Sequence, residues 1–164
     1  MKKIGIEIKW GIFFSLASLI WMILEHTVGL HDQYIAKQPI YTNLFAFVAI
    51  ALYIASIRDK KRNYFNGDMN WQQGFLSGVV LSIVICVFSP FVQYISYVWI
   101  SPNFFDNIIK YYVDKKTQTQ AQAEELFNLS SYVKQGIYGS LSMGVITAAI
   151  VAHFLKTKKK NSLT

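Results

Sequence analysis

Apolar residues run without a single charge through four stretches of this chain: Trp10–Leu24, Gln38–Ile57, Met69–Phe105 and Gln135–Leu155. A helix needs about 20 mostly apolar residues to cross about 30 Å of hydrocarbon. The second and fourth stretches meet that length as they stand. The first meets it when Lys9 snorkels at one end and the helix continues to Glu25. The third is long enough to span and keep going. The pattern predicts an all-α membrane protein: four transmembrane helices at approximately 7–28, 38–58, 71–100 and 131–155, in a single membrane domain covering 1–164.

Local punctuation supports these limits. Gly29 suits a left-handed turn that stops the first helix, and Pro39 opens the second where a missing N–H costs nothing. Asn66-Gly67-Asp68 is a turn signal, followed by Trp71 as an interfacial anchor for the third span. Pro90 predicts a kink in that span. Ser101-Pro102 reads as a helix cap and first-turn proline. Beyond it, Phe104, Phe105, Ile108, Ile109, Tyr112 and Val113 share one stripe, with Asp106, Lys110 and Asp114 on the other. This predicts an amphipathic helical segment within the loop 101–130, between spans three and four, on the outer face. Thr119-x-x-Gln122 fits a capping box for a second short helix through Phe127.

Charge sets the expected threading. Of the 16 lysines and arginines, eleven fall in the N-terminus (Lys2, Lys3, Lys9), the second loop (Arg58, Lys60, Lys61, Arg62) and the tail (Lys156, Lys158, Lys159, Lys160). The positive-inside rule places those three segments in the cytoplasm, an N-in/C-in protein of a bacterial inner membrane. The net charge of +7 then faces anionic lipid headgroups rather than nucleic acid. Lys2-Lys3 before an apolar segment resembles a signal peptide, but no small-x-small cleavage site precedes Glu25-His26, so an uncleaved first span is expected. The single cysteine, Cys86, falls mid-span and reads as a small apolar residue.

The spans carry little chemistry of their own. Gly136, Ser140, Gly144, Ala148 and Ala152 repeat at every fourth position, as do Gly74, Gly78, Ser82 and Cys86. Small-residue stripes let helix backbones approach closely, either within one bundle or across a homodimer seam. His153 is a lone histidine, and no span carries an acid at mid-membrane of the kind proton-coupled pumps show. The outer span ends collect polar groups at one depth: Glu25, His26, His31, Asp32, Asn43, Gln93 and Tyr94. Three readings stay open for them: interfacial capping, a pocket for an organic ligand or lipid headgroup, or a metal site drawing on His26, His31 and Asp32. Nothing in the order of residues brings Ser130 or Ser131 to a histidine for nucleophilic catalysis, and no phosphate loop or dinucleotide fingerprint implies a cofactor.

Gly29-Leu30-His31-Asp32, Tyr41-Thr42-Asn43-Leu44-Phe45, Trp71-x-x-Gly74-Phe75-x-Ser77-Gly78, Ser89-Pro90-x-x-Gln93-Tyr94 and Gly144-Val145-Ile146-Thr147 occur in this order along the chain. Together they resemble the bacterial membrane family catalogued as domain of unknown function 4199. The resemblance implies the four-span layout and brings no catalytic role with it. The expected function is that of a non-catalytic membrane protein that binds a partner protein or a lipid-like ligand at its outer face. The alternative is a small transporter or channel subunit acting as an oligomer.

Overall fold

The computed structural model of the chain describes residues 4–157, all of whose regular structure is helical. Lys2, Lys3, Lys158, Lys159 and Lys160, which contribute to the charge pattern, lie outside the described residues. The helices are α1 (Gly5–Thr27), the single turn α2 (Gln38–Tyr41), α3 (Phe45–Asn63), α4 (Trp71–Tyr94), α5 (Phe104–Asp114), α6 (Gln120–Leu126) and α7 (Leu129–Leu155). Four segments are long and apolar enough to cross a membrane: Gly5–Thr27, Ile35–Asn63, Trp71–Ile100 and Leu129–Leu155. This is the architecture of a multi-pass membrane protein. Large apolar side chains such as Phe47, Leu76, Val87 and Ile150 stand exposed on its flank, as they do where hydrocarbon is the solvent.

Sequence signals translate directly at several boundaries. Gly29 follows α1 with φ of 78°, and the α3–α4 turn uses Asn66 and Gly67 at φ of 50° and 87°. Thr119 and Gln122 close a capping box on α6, and Asn70 and Gln73 close another on α4. The third span runs as a helix through Pro90, which offers no N–H to the ladder, and widens into a π turn over Ile95–Ile100. Ser101 departs from its reading as a cap. Asn103 occupies the N-cap position of α5, and the Ser101 hydroxyl turns inward instead.

Contacts define the two ends of the bundle. At one, Lys9 pairs with Asp59, Lys61 donates to the Leu155 carbonyl at 2.8 Å, and Thr157 N–H donates to Met69 O at 2.8 Å. This end carries the start of α1, the α3–α4 turn and the close of α7, and is called the termini end. The opposite, cap end holds α2, α5 and α6. There Phe104 and Ile108 of α5 are buried against Ile35, with Asp106, Lys110 and Asp114 facing out.

The small-residue stripes of α4 and α7 meet within the chain. A Cβ at Gly74 would contact Ala152, one at Gly78 would collide with Ala148, and one at Gly144 with Ser82. Four residues turn a helix by about 400°, so a strict four-residue stripe drifts away from its partner. The next close approach is therefore Gly136 on Ser89, three residues beyond Cys86. Where the stripe drifts away, Ser140 faces an open space.

Candidate functional site

Tyr53 marks the midpoint of the bundle. Ser82 donates its hydroxyl proton to the Gly78 carbonyl at 2.9 Å, so at 2.8 Å the Tyr53 hydroxyl must be the donor to Ser82. Gly144 packs on both oxygens. From there to the termini end the interior is solid, with Ile57, Met69, Leu81, Ala148 and Val151 buried together. From there to the cap end α1, α3, α4 and α7 enclose a cavity of about 380 Å³. It follows α1 from Phe14 to Glu25, about 16 Å at 1.5 Å per residue. Apolar walls (Phe14, Met22, Phe45, Val92) alternate with small polar ones (Ser15, Ser18, Ser140). Met143 of α7 lines the cavity and is also 63% exposed on the flank. That double position makes it the edge of a lateral mouth.

Glu25 lines the cavity at its cap end, with Trp21, Gln93, Ser96 and Thr42. Its carboxylate accepts from Trp21 Nε1 at 2.6 Å on Oε1, and Oε2 lies 3.2 Å from His31 Nε2. On the far side of the ring, His31 Nδ1 lies 2.9 Å from Ser101 Oγ, which lies 3.4 Å from His26 Nδ1. One assignment of hydrogens satisfies the whole chain. His26 Nδ1–H donates to Ser101, Ser101 to His31 Nδ1, and His31 Nε2–H to Glu25. Every donor then points toward the carboxylate, holding it at the cavity edge. Asn107 Nδ2 donates to the His31 carbonyl at 3.0 Å and to Asp32 Oδ1 at 2.7 Å, and Phe104 packs edge-on against the His31 ring. Through these contacts α5 fixes the His31 turn. Acid, imidazole and hydroxyl stand here in the order of a nucleophilic triad. Ser101 is nevertheless only 2% exposed and does not line the cavity, so its hydroxyl acts on the neighbouring rings.

The polar residues singled out in the sequence separate into groups. Glu25 and His31 are in direct contact, and His26 joins them through Ser101. Asp32 joins them through Asn107 and borders a surface hollow with Lys110 and Asp114. Gln93 shares the cavity with Glu25. Asn43 is exposed, with its amide donating to the Pro39 carbonyl at 2.6 Å. Tyr94 is exposed on the flank of α4. Among the described residues, no three His, Cys, Asp or Glu side chains are grouped to hold one metal ion; the His26 and His31 rings are 5.9 Å apart and bridged by Ser101.

A second polar cluster, with no signal in the sequence pattern, lies at the termini end. Glu7 of α1 is 1% exposed, pairs with Lys60 of α3 at 2.9 Å, and accepts from Ser77 of α4 at 2.7 Å. Lys60 also sits over the Tyr64 ring at 4.3 Å. Beside it, Lys9 and Trp10 both donate to Asp59. Two acids on two helices are thus each matched to a base, and three helices are tied together. Gly11 completes the approach, since a Cβ there would strike Val84 of α4.

Residues 9–157 match the model of a family described as Protein of unknown function (DUF4199). The chain belongs to this family. The match takes in the four long helices apart from residues 5–8 of α1, both polar clusters except Glu7, and every residue of the cavity. No curated protein and no solved structure matches the chain. The family description names no activity, so the chemistry rests on the residues themselves: an intramembrane cavity with one carboxylate at its polar end and a mouth on the flank.

Proposed function

We propose that this protein is a non-catalytic component of a bacterial inner membrane that binds a lipid-like ligand in the cavity between α1, α3, α4 and α7. The cavity carries the reading. Its volume of about 380 Å³ falls in the range of small-molecule sites, and such sites combine apolar walls with a few placed polar groups. The polar end at Glu25 and Gln93 suits a headgroup, the walls toward Tyr53 suit a hydrocarbon chain, and the mouth beside Met143 opens toward lipid. The solid interior between Tyr53 and the termini end favours a binding site over a through-path in a single chain.

Gly139 supplies the test. It lines the cavity, and a Cβ built on it meets nothing within 4 Å. Gly139→Leu therefore extends a side chain into this space from a position where its Cβ meets no neighbour. The purified wild-type protein should carry a bound amphiphile visible by native mass spectrometry, and Gly139→Leu should fold equally well and carry none. Identical lipid content in the two proteins would sink the cavity reading.

In the proposed orientation both termini and the α3–α4 turn are cytoplasmic, as the excess of basic residues there suggests. The cavity then lies in the outer half of the bilayer, under the α5–α6 cap. Alkaline phosphatase fused after Phe105 should be active and fused after Arg62 inactive. The opposite pattern would invert the orientation and move the cavity to the inner leaflet.

A further inference from the structure

We propose that the ligand of this cavity is an amine-bearing amphiphile, held with its ammonium group against Glu25 and its hydrocarbon chain directed toward Tyr53. The inference rests on the cavity being the ligand site and concerns which headgroup it accepts. Among the described residues that line the cavity, Glu25 alone carries a charge; no lysine, arginine or histidine reaches its wall. A phosphate or carboxylate headgroup would meet the Glu25 carboxyl with no lysine, arginine or histidine on the wall to pair with, in surroundings where unpaired charge is costly. An ammonium group meets the reverse. A carboxylate offers about four acceptor positions. Trp21 and His31 each occupy one on separate oxygens, so each oxygen keeps a free acceptor position. The ammonium has three hydrogens to place, and the Gln93 and Ser96 side chains at the same end supply neutral acceptors for those that Glu25 does not take. The Ser101–His31 chain behind Glu25 fixes the carboxylate before the ligand arrives, which lowers the ordering cost of binding.

Trp21 touches Glu25 and is a built-in reporter. The experiment uses the full chain in non-ionic micelles and two probes, an alkylammonium and an alkyl phosphate with the same brominated chain. Bromine near the indole quenches its fluorescence, and Trp21→Phe identifies the part of the signal that belongs to this site. The ammonium probe should quench saturably and at least about tenfold more tightly than the phosphate, the size expected of one hydrogen bond to a charged group. Glu25→Gln should bring the two probes to parity. Gln93→Glu adds a second carboxylate at the same end and should tighten the ammonium probe further, which keeps the test decisive if Glu25→Gln fails to fold. Equal quenching by both probes, unaffected at Glu25 and Gln93, would overturn the amine preference and leave the lipid-binding cavity standing. Competition by a tail-less ammonium ion as strong as by the amphiphile would overturn the amphiphile assignment. Saturable quenching by neither probe would remove the cavity reading and this inference with it.

Discussion

Lys60→Met lowers the stability of the bundle by about 3–5 kcal/mol, the cost typical of leaving one partner of a buried ion pair alone. The substitution keeps the unbranched apolar stem and removes only the charge, so packing changes little. Glu7 is then left 1% exposed with Ser77 as its remaining hydrogen-bond donor in this cluster. Its short side chain cannot reach water from that position. The converse substitution, Glu7→Leu, should cost less, because Lys60 retains the Tyr64 ring and a stem long enough to carry the ammonium toward the interface. Glu7→Leu with Lys60→Met removes both charges and should recover most of the loss, since an apolar pair of similar volume often replaces a buried ion pair at no net cost. Unfolding of the four proteins in the same bilayer-mimetic, followed by circular dichroism, orders them as wild type, double variant, Glu7→Leu and Lys60→Met. A double variant as unstable as Lys60→Met would show that the cluster acts through shape rather than charge.

The sequence could not display this pair, for a definite reason. Lys60 stands in the run Arg58-Asp59-Lys60-Lys61-Arg62, and Glu7 stands two residues from Lys9. Each reads as part of a solvated basic flank, and only the crossing of α1 and α3 turns those two inward. The spans themselves were legible because hydrocarbon imposes one requirement on 20 consecutive residues, and no tertiary contact is needed to meet it. Turn positions were legible for a related reason: Gly29 and Asn66-Gly67 answer to local backbone sterics. The cap-end site lies between these cases. Span boundaries place Glu25, His26 and His31 at one depth, but depth does not fix direction around a helix. Asn43 and Tyr94 share that depth and face away from the cluster. Ser101 illustrates the limit best. As sequence, Ser101-Pro102 satisfies the rule for a helix start, yet the Ser101 hydroxyl, just past the π turn at Ile95–Ile100, meets His31, 70 residues earlier.

The close packing of α4 on α7 gives the second large effect. Gly78→Ala should destabilise the protein by about 1–3 kcal/mol although it adds one methyl group, the range seen when a well-packed interior is overfilled. The new Cβ would collide with the Ala148 Cβ, stand 3.1 Å from the Ala148 Cα and 3.3 Å from Ile57 Cδ1. Alanine has no side-chain torsion with which to move aside, so the two helix backbones must separate. Separation weakens the contacts on either side, at Gly74 against Ala152 and at Gly144 against Ser82. In lipid no hydrophobic drive compensates for a looser helix pair, because the tails outside are as apolar as the interface. Gly139→Ala is the matched control on the same helix pair. It makes the same chemical change where a Cβ meets nothing within 4 Å, so it should leave thermal stability unchanged or slightly raised by the better helix former. Thermal unfolding of the two variants beside the wild type separates the explanations. Equal losses at Gly78 and Gly139 would mean that glycine matters here through backbone flexibility rather than close approach. A loss at Gly78 alone identifies this crossing as the contact that holds α4 to α7 beneath the cavity.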